Sequence, residues 1–316
     1  MTNFYTPEMA RFVQQLRTSG FTWEEVADEF EKEFGERKSH DTLRISTKKM
    51  MDEPVPDHQE TMPKILIYDI ETSPCLGYVW GLWNNDIGLN QLYRDWDIMS
   101  YAAKWLGEDE VFYQDQVGAG SEKKLLQGIW KLLDEADIVI THNGKKFDER
   151  KLNARFIEHG LKPVGKKKHI DTLVIAKREF AFTSNKLEYL TNKFCVKHKK
   201  KSHSKFPGFS LWLECLRDSP AAWKEMKEYN IADVQALEEL YFKLAPYDNT
   251  VNFNLFHDYD VTFCSCGSTD FRKNGFAYTN VSKFQRYTCK ECGNHIRGRV
   301  NLLSKDKRKS LKARIT

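Results

Sequence analysis

The residues that could do the most chemistry in this 316-residue chain are carboxylates set in three short, ordered motifs. Asp69 and Glu71 stand two apart at the end of Lys64-Ile-Leu-Ile-Tyr-Asp-Ile70, a nearly continuous apolar run that suits a buried strand. Side chains alternate along a strand, so both carboxylates emerge on one face. Two acids that close are costly to bring together without a cation. Magnesium or manganese, which prefer oxygen ligands, would offset the repulsion. Alone, Asp-x-Glu is a short pattern that recurs by chance.

The second motif is His142-Asn-Gly-Lys-Lys-Phe-Asp148. Thr141 ends a strand, Asn143-Gly144 turns, and Asp148 opens the next helix, at the same sheet end as the first pair. A favourable charge at a helix N-terminus would also account for Asp148. The third is Tyr229-Asn-Ile-Ala-Asp233, whose spacing puts Tyr229 and Asp233 on one helical face. Asp233 could complete a metal cage while the Tyr229 hydroxyl orients a water. A core aromatic beside a solvated acid is the plainer reading of that pair in isolation. The ordered set of three is what argues against coincidence.

Cysteine supplies a separate signal. Cys75, Cys195 and Cys215 are scattered and read as reduced thiols, whereas Cys264, Cys266, Cys289 and Cys292 crowd together near the end. Two close pairs followed by glycine suit one structural, tetrahedral Zn2+ in a zinc ribbon. The first pair is C-x-C where C-x-x-C is usual, which leaves His295 open as a substitute ligand. Four cysteines leave no vacant position for catalysis. The surrounding Arg272, Lys273, Lys283, Arg286, Arg297 and Arg299 suit a grip on nucleic acid or a partner protein, the alternative being a clip for a segment without its own core.

The elements that must position these groups follow from periodicity. Residues 1–50 read as a helix-turn-helix-like module: an amphipathic helix over 7–16, a second capped by Thr22 with Glu25 and ended by Gly35, and a third from Ser39 toward Met50. Arg44, Lys48 and Lys49 on the third could meet phosphates or a groove. Pro54, Pro56 and Pro63 mark a linker over 51–63. Residues 64–247 carry strand-like runs near 64–70, 77–83, 98–105, 110–116, 137–141 and 169–171, and helices over 121–133, 147–159 and 219–244. Strands first in succession and then alternating with helices predict an α/β domain, a mixed sheet with helices packed on it. The zinc ribbon spans 260–300, and a basic tail follows over 301–316. No internal repeat is present.

In order and spacing, Asp69-Ile-Glu71-Thr72, the run Asn143 to Asp148, and the run Tyr229 to Asp233 resemble the three motifs of the DnaQ-like (DEDD) 3′–5′ exonuclease superfamily. The resemblance covers residues 64–244. Asp69-Ile-Glu-Thr-Ser-Pro74 is also similar to the YprB-like ribonuclease H-like nucleases, many of them phage-encoded. Tyrosine stands four residues before the last Asp, and Glu228 occupies the place of histidine in the other subclass, so the chain resembles the tyrosine (DEDDy) type. That resemblance implies a ribonuclease H-like fold and phosphodiester hydrolysis with two Mg2+ or Mn2+ ions, on the order of 4 Å apart, held by Asp69, Glu71, Asp148 and Asp233. It implies a water-positioning role for Tyr229 and supporting roles for Asn143 and Phe147. Asp171 matches a recurrent superfamily carboxylate, with a structural role equally in view.

Composition bounds the remainder. With 41% apolar and 30% charged residues the chain can build a core under a soluble surface, and no apolar run approaches the roughly 18 residues of a membrane span. No secretory signal is visible, which predicts the cytoplasm, the host's if the chain is phage-encoded. Net charge is only +4, but the basic excess is concentrated in residues 162–168, 193–205 (Lys199, Lys200 and Lys201 among them) and 305–314. Such runs attract phosphate backbones, though each could equally be a solvated loop. Nucleic acid, DNA ahead of RNA, is therefore the expected partner, with a replication or repair protein as a second. The main alternatives are a structure-selective endonuclease on the same fold, or a nucleic-acid-binding protein with an inactive exonuclease domain. A transposase-like enzyme fits less well, because the Tyr-x-x-x-Asp helix is not part of its expected set.

Overall fold

The computed structural model describes residues 7–52, 63–199, 205–256 and 262–313. The chain divides into two compact units, residues 1–61 and 62–316.

The first unit is helical: α1 (Pro7–Thr18), α2 (Trp23–Phe34) and α3 (His40–Asp52). The Thr22 hydroxyl accepts the Glu25 N–H while the Glu25 carboxylate accepts the Thr22 N–H at 2.7 Å, the reciprocal cap that the spacing predicts. Gly35, at φ +70°, closes α2 in a left-handed conformation that glycine adopts without a Cβ penalty. Val13, Val26, Phe30 and Leu43 form the buried centre. Arg44 is exposed and paired with Asp41 at 3.4 Å. The side chains of Lys48 and Lys49, and most of the expected linker, lie outside the described residues.

The second unit opens with β1 (Ile65–Thr72), β2 (Leu76–Gly77), β3 (Leu92–Arg94), β4 (Ile98–Trp105) and β5 (Phe112–Asp115). There follow α4 (Gln116–Ala119), α5 (Glu122–Glu135), β6 (Ile138–Thr141), α6 (Asp148–Glu158), β7 (Lys168–Asp171), α7 (Thr172–Glu179), α8 (Leu187–Phe194), α9 (Ser210–Leu216) and α10 (Pro220–Leu244). Five strands make one sheet in the order β5-β4-β1-β6-β7. β4 runs antiparallel to β1, whereas β6 and β7 run parallel to it. The mixed sheet flanked by helices is the architecture the strand and helix order predicts.

Parity along β1 decides what faces what. Leu66, Tyr68 and Ile70 point to the side covered by α5 and α6, among Leu125, Ile129 and Phe156. Ile67 points to the other side, among Ile140, Ile170 and the α10 residues Val234, Leu237 and Tyr241. Asp69 and Glu71 share the parity of Ile67, so they rise on the α10 side. On α10 the buried positions 226, 229, 230, 233, 234, 237, 240, 241 and 244 form one stripe at helical spacing. Burial of each large apolar residue in its C-terminal half stabilises the contact by about 1.5–3 kcal/mol. That packing carries Asn230 and Asp233, further along the same stripe, onto the sheet.

Two expectations differ from the fold. The strand expected over 77–83 is only two residues long, at Leu76–Gly77; after Gly77 the pairing with β3, its partner among the described residues, ends, and the side chains of Tyr78, Trp80, Leu82 and Trp83 are exposed. The helices α7, α8 and α9, each of seven or eight residues, are too short for a clear 3.6-residue period and were not expected.

Beyond α10, β8 (Phe271–Thr279), β9 (Ser282–Cys289) and β10 (His295–Arg297) form a separate antiparallel sheet, followed by α11 (Lys305–Ser310) in the basic tail. The Ser265 hydroxyl donates to the Ala245 carbonyl at 3.0 Å, tying the cysteine-bearing turn to the end of the α/β domain. No helix among the described residues is long and apolar enough to cross a membrane.

Candidate active site

Carboxylate oxygens of Asp69, Glu71 and Asp233 lie within 4.8 Å of one another. β1 delivers the first two and the buried stripe of α10 delivers the third. Asp148 stands slightly apart. It lines the same cavity, of about 220 Å³, but its Oδ1 accepts the Ile70 N–H at 3.3 Å. Burial, with a further contribution from Asp171, pushes the Asp148 carboxyl up to about 7 despite hydrogen bonds from its own and the Ile70 amide. Burial first, and then the field of Asp148, Glu149, Asp69 and Asp171, pushes the Tyr68 hydroxyl well above its usual range. The site is thus an acidic cavity whose charge calls for a cation, and its all-oxygen donor set suits magnesium or manganese.

The turn between β6 and α6 is built to bring Asp148 in. Asn143 adopts φ +71° and donates its N–H to Asp171 at 2.9 Å. The same Asp171 oxygen accepts the Leu173 N–H at 3.0 Å and caps α7, so Asp171 acts as a clamp on the turn. Gly144 donates its N–H to the Thr141 hydroxyl at 3.1 Å, so close that a Cβ there would fall 2.3 Å from that oxygen. His169 joins Thr141 at 2.7 Å to Glu149 at 3.2 Å, which holds the strand end and the first turn of α6 together. Phe147 lines the cavity and is about two-fifths exposed.

Two groups that the sequence reading did not single out hold the carboxylates in place. Asn230 donates its amide to Asp69 at 2.8 Å and accepts the Ser100 hydroxyl at 3.1 Å, linking α10 to β1 and β4. Trp212 on α9 donates its indole N–H to Glu71 at 3.2 Å and meets the Tyr229 ring edge-on at 6.1 Å. Tyr229 itself is buried in a cluster with Met99, Leu211 and Met226, one turn before Asp233. An Asn one residue after the motif Tyr was visible in the sequence, but nothing local identified its partner.

The cysteine quartet also assembles. One sulfur of each residue lies within 4.8 Å of the other three, with Cys264 and Cys292 at 3.4 Å and Cys266 and Cys289 at 3.7 Å. A tetrahedral zinc at about 2.3 Å from each sulfur would set them about 3.8 Å apart, so the donors fit. The short C-x-C spacing suffices, and His295 is not drawn in: its Nδ1 pairs with the Thr288 hydroxyl at 2.9 Å. Of the lysines expected on nucleic acid, Lys199 is exposed, and Lys200 and Lys201 lie outside the described residues.

No curated protein matches the chain. Among solved structures it is similar to the family B DNA polymerase from the hyperthermophilic archaeon Pyrobaculum calidifontis, with a TM-score of 0.43 and 14% identity. That similarity covers 70% of this chain and 32% of the polymerase chain, so this chain spans about a third of its length. Residues 91–245, which hold Asp148, Asp171, Tyr229 and Asp233 but begin after β1, match the family model described as RNase_H superfamily, and the five-stranded sheet with its helices is ribonuclease H-like.

Proposed function

We propose that this protein is a metal-dependent 3′–5′ exonuclease of the DnaQ-like DEDDy type, hydrolysing phosphodiester bonds of DNA, with RNA as the second choice. The observation that carries this reading is the convergence of Asp69, Glu71 and Asp233 within 4.8 Å, with Asp148 in the same cavity. Acids in that density repel one another unless a cation lies between them, and a ribonuclease H-like sheet gives them a fixed frame. Asp69, Glu71, Asp148 and Asp233 would hold two Mg2+ or Mn2+ ions, which supply an activated water and stabilise the leaving 3′ oxygen. Asn230 and Trp212 orient Asp69 and Glu71. Tyr229, one turn before Asp233, is assigned to orienting the attacking water. A structural Zn2+ in the cysteine quartet would complete the C-terminal ribbon.

The test is a magnesium and manganese titration with end-labelled single- and double-stranded DNA and RNA, with Asp69→Ala and Asp233→Ala as controls. Stepwise shortening from a free 3′ end, lost in both variants, is the expected result. Unchanged activity in both variants would sink the metal assignment, and cutting of circular substrates would replace exonuclease by endonuclease.

A further inference from the structure

Between β1 and β4 the chain makes an excursion that the exonuclease chemistry does not use. Residues 76–93 form an arm held by its own polar bonds. The Tyr78 N–H donates to the Gln91 carbonyl at 2.9 Å, the Gln91 side chain returns a bond to the Tyr78 carbonyl at 3.0 Å, and the Gly88 N–H donates to Gln91 Oε1 at 3.0 Å. Tyr78 and Tyr93 meet edge-on at 5.6 Å. The arm contributes to none of the buried clusters. Its large side chains face outward instead: Trp80 is 102% exposed, Leu89 90% and Trp83 86%. An ordered loop that turns so much apolar surface to water marks an interaction site.

We propose that this arm binds single-stranded nucleic acid, its bases stacked on Trp80 and Trp83, and feeds that strand to the acidic cavity. The inference deepens the exonuclease reading and rests on it for the second half of that statement. Continuity with the cavity is the first argument. At the foot of the arm the Asp97 N–H donates to Ser73 at 2.9 Å, and the neighbouring Trp96 carries the Lys151 ammonium 3.4 Å above its ring. The same ammonium lies 5.7 Å from the ring of Phe147, which lines the cavity. An aromatic path with an interleaved cation therefore leads from the carboxylates to the arm.

Charge is the second argument. Lys145, Lys146 and Arg150 are exposed beside Phe147, where phosphates would pass, whereas the arm holds a single charged residue, Asp86, over residues 76–93. A protein partner is normally met by an apolar centre with a polar rim. A surface of aromatics and amides (Asn84, Asn85 and Asn90) with a single carboxylate suits unpaired bases, because every base offers a face to stack and an edge to bond. A duplex keeps those faces covered.

The experiment uses the full chain, zinc retained, with no magnesium or manganese added, so that binding is read without turnover. Fluorescence anisotropy compares a labelled 20-nucleotide single strand with a 20-base-pair duplex, for the wild type, the Trp80→Ala/Trp83→Ala pair and the Trp80→Phe/Trp83→Phe pair. We expect the alanine pair to weaken single-strand binding about ten-fold or more, and the phenylalanine pair to restore most of it. With magnesium or manganese added, the alanine pair should slow degradation of the 20-mer but not of a dinucleotide too short to reach the arm. Unchanged single-strand affinity in the alanine pair overturns the proposal, as does an equal loss for duplex. Intact affinity together with a dimer-to-monomer shift in light scattering assigns the arm to a second copy of the chain and overturns it too. If the wild type cuts neither substrate with either metal, the exonuclease reading fails, while the binding series without magnesium or manganese still decides the arm.

Discussion

The side-chain amide of Asn230 reaches 2.8 Å from Asp69, across 161 positions of sequence, and its carbonyl oxygen accepts the Ser100 hydroxyl. Asn230 is fully buried, so its two bonds fix both the rotamer of Asp69 and the height of α10 over the sheet. Asn230→Ala should destabilise the fold by about 1–3 kcal/mol, the cost of leaving buried polar groups unmet. Asn230→Asp should do more to function than to folding. A carboxylate in place of the donor repels Asp69, and a misplaced ligand of this kind typically costs about 100-fold in rate. Thermal unfolding and nuclease assays on the two variants should separate the effects, and equal activity in both would show that Asp69 does not depend on Asn230.

Trp212 plays the corresponding part for Glu71. Trp212→Phe keeps a ring beside Tyr229 but removes the N–H that now lies 3.2 Å from Glu71. Loss of such a supporting bond weakens metal affinity or activity by about 10–100-fold. The variant should therefore need more magnesium for half-maximal activity while its circular dichroism stays that of the wild type. An unchanged metal requirement would reduce Trp212 to packing.

The sheet, its long helices and the carboxylates were legible because each rests on a local period. Asp69 and Glu71 share a face by strand alternation, and Tyr229 and Asp233 by helical spacing. Asn230 and Trp212 were not legible, since the carboxylates they hold stand 161 and 141 positions away and no local pattern records such a bond. Residues 77–83 were misread as strand for a related reason. Alternation and aromatic content describe a surface able to pack, but whether a facing layer exists is decided elsewhere in the chain. His295 was kept open as a zinc ligand because spacing alone does not show that C-x-C can close the site. The fold shows four sulfurs together and His295 engaged with Thr288.

Gly144 is required by space. A Cβ at this position would lie 2.3 Å from the Thr141 hydroxyl and 2.5 Å from the Thr141 Cβ, whereas one at Gly165 would meet nothing within 4 Å. Gly144→Ala must push the turn away from β6, which carries Asp148 with it. Overpacking of this sort costs about 1–3 kcal/mol. The melting temperature and the nuclease rate should both fall in Gly144→Ala, with Gly165→Ala indistinguishable from wild type. A stable, active Gly144→Ala would mean that the turn is free to move.

Asp148 gives a dependence on pH. Burial lifts its carboxyl to about 7 in the folded chain, against about 3.9 in an unfolded one. Between those values the unfolded state has released the proton that the folded state still holds. The stability Asp148 allows at low pH is therefore lost as pH rises through this window. Asp148→Asn stays neutral and can still accept the Ile70 N–H. Without added magnesium or manganese its melting temperature should exceed that of the wild type at pH 8 and converge with it near pH 4. A gap that did not change with pH would show that Asp148 is not held protonated by the fold.

The cysteine quartet makes a prediction about metal content and about where its loss is felt. Four sulfurs within 4.8 Å of one another suit a structural ion with no coordination position left over, whose binding free energy is folding free energy for the segment around it. The three-stranded sheet supports this: the residues of β8 and β10 are mostly exposed, and along β9 only Thr288 and Cys289 are buried. The purified protein should carry one zinc per chain by atomic absorption. Cys292→Ser should lose it and expose the 271–297 strands to protease. The α/β domain has its own two-sided core and should keep its melting transition and its magnesium-dependent activity on short substrates. Loss of both with the zinc would place the ribbon inside the catalytic fold rather than beside it.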